Sequence, residues 1–186
     1  MTADLMPAAL RLLARGAPVT MTELAAAAGV DVADVDNASG AGDIEYDDEH
    51  RIVGWGLTLI PTPHQFIVDG RRLYTWCAAD TLMFPAIIGT RVQVESRCPT
   101  TGTVIGFTVD PHEGVSNLSP VTAVIFIPAS DEVDVSRVRA SCCNPGLFFA
   151  TAEVAADWRA QHPGGSVLPV GDAYPHVQPL LNQLLG

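Results

Sequence analysis

The 186-residue chain is acidic and carries enough apolar sequence to form a folded core. Its residues are 48% hydrophobic and 17% charged, and the formal net charge is −11 at pH 7, from 21 acidic residues against 10 basic ones, all of them arginine. This composition excludes a disordered chain and disfavours nucleic acid and anionic membranes as partners. Four cysteines are too few for a disulfide scaffold in a chain of this length.

The first part of the chain predicts three short helices followed by a hairpin. Helices are predicted over residues 7–14, 20–28 and 32–38, with Thr20 and Thr22 as capping residues and Gly29 as the end of the second helix. Strands are predicted over residues 44–46 and 52–59, around an Asp-rich turn. This order is typical of a winged helix. With the Gly- and Ser-containing residues 37–42, it predicts a winged-helix-like domain over residues 1–60 and a second domain over residues 61–186.

Most of the negative charge lies in this first domain. Residues 1–50 carry a net charge of −8 and the remaining residues −3. The predicted recognition segment contains Asp31, Asp34 and Asp36 and no arginine, whereas contact with phosphates requires cations. The charge therefore favours a structural or docking role over DNA binding.

The rest of the chain mixes strands and helices without a repeat. Strands are predicted over residues 65–68, 92–95, 104–109, 121–127 and 147–150, where Val, Ile and Phe are frequent. Helices are predicted over residues 72–85, 154–161 and 179–185, and residues 136–140 lead into a cysteine pair. The predicted fold class is α+β, with a mixed, mainly antiparallel β-sheet core and flanking helices.

Neither a targeting segment nor a membrane span is predicted. Acidic and arginine residues interrupt the apolar start of the chain, and no window contains the roughly 18 apolar residues that cross a bilayer. The expected location is the cytoplasm, where thiols stay reduced.

The four cysteines are the candidates for chemistry, because common nucleotide, phosphate, zinc-protease and serine-hydrolase motifs are absent. Five scattered histidines lack metal-ligand spacing and are expected to be surface or hydrogen-bonded residues. The cysteines lack the C-x₂₋₄-C spacing of structural zinc sites, and burial of all four as small hydrophobes stays an alternative. Cys77 and Asp80, however, share one face if residues 76–84 are helical, and a carboxylate on that apolar segment is costly unless it is functional.

Three ordered blocks, each with its own cysteine, resemble the organomercurial (alkylmercury) lyase family. They are RLYTWCAADTLMFPAIIG at residues 72–89, SRCPTTG at residues 96–102, and VRASCC at residues 138–143 followed by FFA at residues 148–150. The N-terminal helices with EY at residues 45–46 and GWGLTL at residues 54–59 are similar to the winged-helix-like region of the same family. The resemblance extends over residues 7–185. One departure is the Asn144-Pro145-Gly146 loop, where the family often has His-x-His.

The resemblance implies a role for each cysteine. Cys77 and Cys142 are expected to be the catalytic, mercury-binding thiols and Asp80 the carboxylate that handles the proton and lies against the Hg(II) product. Cys98 is expected to be structural and Cys143 secondary. The implied reaction is protonolysis of a carbon–mercury bond without a resident cofactor, with external thiols assisting turnover. The implied partners are an organomercurial substrate and a mercuric reductase that accepts Hg(II).

This residue set suits the chemistry, because soft mercury prefers thiolates and a buried acid can deliver a proton to carbon. The alternative is a non-catalytic, thiol-based metal-binding or sensing protein of the same fold.

Overall fold

The computed structural model describes residues 5–39, 43–129, 134 and 137–185. Residues 40–42 of the Gly- and Ser-containing segment and residue 136 of the segment before the cysteine pair lie outside these residues. The helices are α1 (Leu5–Leu13), α2 (Met21–Ala28), α3 (Val32–Ser39), α4 (Ala78–Ile88), α5 (Ala156–Gln161) and α6 (Val170–Leu185). The strands are β1 (Glu45–Tyr46), β2 (Ile52–Trp55), β3 (Leu57–Thr58), β4 (His64–Val68), β5 (Arg71–Thr75), β6 (Val92–Arg97), β7 (Val104–Asp110), β8 (Gly114–Ser119), β9 (Val124–Ile127), β10 (Phe148–Phe149) and β11 (Ser166–Pro169).

The three N-terminal helices form where the sequence predicts them. Thr20 caps α2: its hydroxyl accepts a hydrogen bond from the Glu23 amide at 3.2 Å, and the Glu23 carboxylate accepts one from the Thr20 amide at 2.8 Å. Gly29 ends α2 in the left-handed conformation, with φ of 68°. The buried residues of α1 belong to the same core cluster as those of β2 and α4.

One antiparallel sheet of eight strands forms the centre of the fold. Its strand order is β1-β2-β3-β5-β4-β6-β7-β8. A second antiparallel sheet contains three strands in the order β10-β9-β11. The α+β class with a mainly antiparallel sheet and flanking helices is therefore confirmed. The two-domain division at residue 60 stays a prediction.

The main correction concerns residues 72–85, where the sequence pattern predicts one helix. The structure forms strand β5 first and begins α4 only at Ala78. Residues of β5 pair with β3 on one side and β4 on the other, and this pairing, distant in sequence, overrides the local apolar pattern. The correction matters because it places Cys77 at the junction between a central strand and a buried helix.

Two strands and much of the last helix are also absent from the sequence predictions. Strand β8 is largely exposed and polar, so it lacks the alternation that marks a half-buried strand. Strand β11 is short and ends at a proline. Helix α6 begins at Val170 and contains two prolines, which argue against a helix from sequence alone. Within the described residues, no helix is long and apolar enough to cross a membrane.

Candidate active site

Cys77 and Asp80 lie together at the first turn of α4. Cys77 is the N-cap residue, and its backbone amide donates to Asp80 Oδ2 at 3.0 Å. The Cys77 carbonyl accepts a hydrogen bond from Thr75 Oγ1 at 2.9 Å. The two side chains are 4% and 6% exposed, respectively. Helix capping thus fixes the carboxylate beside the thiol in an enclosed position.

A turn of π-helix, residues Arg139–Cys143, brings the cysteine pair to the same place. The ligand atoms of Cys77, Asp80 and Cys143 lie within 4.8 Å of one another. The Cys143 thiol contacts those of both Cys77 and Cys142. Cys142 is half-buried next to this group and interacts electrostatically with Asp80. The structure therefore brings Cys77 and Asp80 together with Cys143, which was expected to be secondary, and places the predicted Cys142 beside this group.

The loop after the cysteine pair closes over the Cys77 side chain. The Gly146 carbonyl accepts a hydrogen bond from the Ala78 amide at 2.9 Å. A Cβ at Gly146 would lie 3.2 Å from Cys77 Cβ and 3.4 Å from the Cys142 carbonyl oxygen. Trp158 Nε1 on α5 donates to the Pro145 carbonyl at 3.1 Å. The Asn144-Pro145-Gly146 loop is thus a close-packed wall of the site, and a side chain at residue 146 would crowd that wall.

Burial controls the acidities at the centre of the site. Burial raises the pKa of Asp80 to about 7, although hydrogen bonds from Cys77 oppose the rise. Hydrogen bonding with Cys143 lowers the pKa of Cys77, but burial and the nearby Asp80 carboxylate outweigh it and raise that pKa to about 11. Near neutral pH, Asp80 is therefore present in both its protonated and its ionised form, beside a thiol that stays protonated.

The two adjacent cysteines differ in acidity. Hydrogen bonding with Cys143 lowers the pKa of Cys142, against the opposing effects of burial and of Asp80. Hydrogen bonds with Cys142 and Cys77, together with burial, raise the pKa of Cys143. Thiolate character is thus concentrated on Cys142, which is also the more exposed of the pair.

Cys98 lies outside this group, in the main core after β6, with 1% of its surface exposed. Burial raises the pKa of its thiol, but hydrogen bonds from Thr101, Ala150 and Thr100 produce a net lowering. Its described hydrogen-bond partners are two threonines and a backbone group, and these surroundings suit a packing role.

Three polar residues near the site, His64, Glu45 and Arg139, do not stand out in the sequence. His64 is 1% exposed, and its Nδ1 lies 2.9 Å from Ser96 Oγ, while its Nε2 has no partner among the described residues. Burial lowers the pKa of His64 to about 4, so the ring is neutral. Glu45 and Arg139 form an ion pair against Trp76. Gly54 is a sequence feature that could have pointed to Glu45. A Cβ at residue 54 would lie 2.0 Å from Glu45 Oε2, so the position of this carboxylate requires a glycine at residue 54.

Comparison with known protein families matches nearly the whole chain. A model of the alkylmercury lyase family matches residues 57–181. A model of the helix-turn-helix domain of alkylmercury lyase matches residues 1–56.

Individual relatives agree with these matches. An alkylmercury lyase of Staphylococcus epidermidis is 47% identical over 166 residues, which cover 89% of this chain and 76% of the relative. An alkylmercury lyase of Streptomyces lividans is 46% identical over 177 residues, covering 95% of this chain and 81% of the relative. One of Pseudomonas putida is 44% identical over 176 residues, covering 92% and 80%. A crystal structure of the mercury-bound form of MerB2 superimposes with a TM-score of 0.78 at 26% identity, covering 98% of this chain and 90% of that one.

Proposed function

The chain belongs to the alkylmercury lyase family, and from this premise we propose that Cys77, Asp80 and Cys142 cleave the carbon–mercury bond. The protein is an enzyme, an organomercurial lyase, and its substrates are organomercurials. The observation that supports Cys77 and Asp80 is the enclosed group that they form with Cys143 at the start of α4. Cys142 is assigned by its place beside this group, its exposure and its lowered pKa. Thiolates bind mercury far better than oxygen or nitrogen ligands do, and the carboxyl group can supply a proton to carbon.

Cys142 is the thiol that the substrate meets first in this proposal. Its pKa is lowered, and its side chain is more exposed than those of Cys77 and Cys143. A thiolate is the nucleophilic form of cysteine, so Cys142 displaces the outgoing ligand of the organomercurial and forms a sulfur–mercury bond. The organomercury group bonded to the Cys142 sulfur is then positioned next to Cys77.

Cys77 supplies both the second sulfur and the proton. Its thiol bonds to mercury and passes its proton to the Asp80 carboxylate. With pKa values of about 11 and about 7, this transfer is uphill by about 5 kcal/mol before mercury binds. Mercury on the Cys77 sulfur acidifies the thiol and makes the transfer favourable. Metal binding must therefore precede proton transfer.

Asp80 then protonates the carbon. The proton moves from the Asp80 carboxyl group to the carbon bonded to mercury, the electron pair of that bond forms the new C–H bond, and the hydrocarbon leaves. Hg(II) remains bound to the Cys77 and Cys142 thiolates, and Asp80 returns to its ionised form. Its backbone hydrogen bond from Cys77 holds the carboxyl group in place throughout.

Turnover requires removal of tightly held Hg(II). We propose that external thiols carry it away, that a mercuric reductase is its acceptor, and that no resident cofactor takes part. A cytoplasmic location would supply the reduced thiols that both the site and product release need.

The test is benzene release from phenylmercury by the full chain with excess thiol. Cys77→Ser and Cys142→Ser should each lower benzene release by at least about a hundredfold, since each removes a mercury ligand. Cys143→Ser should retain most of the activity, and Cys98→Ser is the control for loss of a buried thiol outside the site. Full activity of Cys142→Ser with loss of activity in Cys143→Ser would transfer the role to Cys143. Mercury retention by the unaltered chain without benzene would support sequestration instead.

A further inference from the structure

Glu45 connects three separate segments around the site. Its Oε2 accepts hydrogen bonds from Thr58 Oγ1 at 2.5 Å and from Trp76 Nε1 at 3.1 Å. Its Oε1 pairs with Arg139 Nη1. Trp76 directly precedes Cys77, and Arg139 begins the turn that carries Cys142. One carboxylate of β1 is therefore bonded to both thiol-bearing segments.

Arg139 is held by more than this ion pair. Its guanidinium lies over the Trp76 ring, 4.9 Å from the centroid, and its backbone amide donates to Asp43 Oδ2 at 2.7 Å. Asp43 and Glu45 both belong to the region matched by the model of the helix-turn-helix domain. The first residue of the cysteine-bearing turn is thus fixed at its backbone by Asp43 and at its side chain by Glu45 and Trp76.

The ion pair between Glu45 and Arg139 is partly buried, so losing it should cost free energy. The Glu45 side chain is 14% exposed and that of Arg139 is 34% exposed. Gly54 leaves the space that the carboxylate occupies. Removing one member of a partly buried charged pair leaves the other without compensation for its lost hydration. The Arg139 side chain would then leave its place over Trp76 and loosen the turn.

We propose that Glu45 is a positioning residue, which, through Arg139 and Trp76, holds the Cys142–Cys143 turn opposite Cys77. This inference rests on the proposed pairing of thiols from those two segments. It gives the acidic N-terminal region a function at the active site: two of its carboxylates hold the catalytic turn. Glu45 touches none of the reacting groups and acts only through its partners.

The experiment measures capture of two thiols by one atom, independently of carbon–mercury cleavage. Phenylarsine oxide condenses with two neighbouring thiols and releases water, whereas iodoacetamide alkylates one thiol at a time. In the full-length Glu45→Gln variant, the glutamine can still accept hydrogen bonds from Trp76 and Thr58 but cannot pair its charge with Arg139. We expect phenylarsine oxide to bind about tenfold more weakly, while iodoacetamide reacts with Cys142 at least as fast as before.

Two further variants complete the test. Glu113→Gln is the matched control, because Glu113 is exposed and its nearest arginine, Arg91, is 3.6 Å away; its arsenical affinity should not change. Arg139→Gln should weaken arsenical binding as Glu45→Gln does, and the double variant should be no weaker than the worse single variant. Arg139→Gln also serves as the test if Glu45→Gln fails to fold.

Unchanged arsenical affinity in Glu45→Gln, or additive losses in the double variant, would overturn the proposal. A chain that shows these arsenical effects but releases no benzene would support Glu45 as a positioning residue while refuting the proposed cleavage.

Discussion

Replacing Asp80 by asparagine isolates the effect of burying this carboxyl group. Asparagine has nearly the same shape, and its carbonyl oxygen can accept the hydrogen bond that the Cys77 amide donates to Asp80. It carries no proton that titrates in the accessible pH range. The Asp80→Asn variant should therefore keep the cap of α4 while it removes the ionisable group.

The magnitude follows from the shift in pKa. Burial raises the pKa of Asp80 from an ordinary value of 3.8 to about 7. The folded state consequently retains its proton between these pH values while the unfolded state loses it, so this group's contribution to stability is lost as pH rises from about 4 to about 7. Above that range, the lost free energy of unfolding is about 4 kcal/mol. Asp80→Asn lacks this loss, so at pH 8 it should be more stable than the unaltered chain by about that amount, or about 10 °C in Tm.

Urea unfolding followed by circular dichroism at pH 4.5, 6 and 8, under reducing conditions, measures this difference. The advantage of Asp80→Asn should be small at pH 4.5 and largest at pH 8. Asp110→Asn is the control of opposite sign, because backbone amides and Arg91 lower the pKa of Asp110; this variant should lose stability at pH 8. The raised pKa would be refuted if Asp80→Asn were no more stable than the unaltered chain at pH 8, or if its gain in stability were equal at all three pH values.

Two further substitutions test the surroundings of the site. Burial lowers the pKa of His64 to about 4, so the unaltered chain should lose about 3 kcal/mol of stability as pH falls from about 6.5 to about 4. His64→Gln should not show this loss in urea unfolding at pH 7.5 and 4.5. Equal pH dependence of stability in both proteins would contradict the lowered pKa. Gly146→Ala places a Cβ 3.2 Å from Cys77 Cβ and should lower benzene release about tenfold. Gly171→Ala is the control and should leave activity unchanged, because a Cβ at Gly171 meets no atom within 4 Å. Equal activities of the two variants would show that the loop tolerates a side chain.

Sequence alone predicts the features of the fold that depend on neighbouring residues. The start of α2 was predictable because Thr20 and Glu23 bond each other's backbone amides. Its end was predictable because Gly29 adopts a left-handed conformation that other residues avoid. The helix predicted over residues 72–85 was wrong in its first part because pairing with β3 and β4, absent from any local pattern, decides that residues 71–75 form a strand.

The same distinction applies to the site. Cys77 and Asp80 could be associated from sequence because a spacing of three residues places both in one turn of helix. The contact of Glu45 with Arg139 spans 94 residues of sequence, and a short local window contains no sign of it. Cys143 reaches Cys77 and Asp80 from a π-helical turn, a form that sequence patterns do not predict.

The most direct test of the mechanism is a single turnover with phenylmercury in the absence of external thiol. The unaltered chain should release benzene in an amount equal to the protein and retain Hg(II), which mass spectrometry of the native protein would detect. Asp80→Asn should retain intact phenylmercury on its thiols and release benzene at least about a hundredfold more slowly, because its side chain has no proton to deliver. Benzene release by Asp80→Asn at the rate of the unaltered chain would contradict the central role of this carboxyl group.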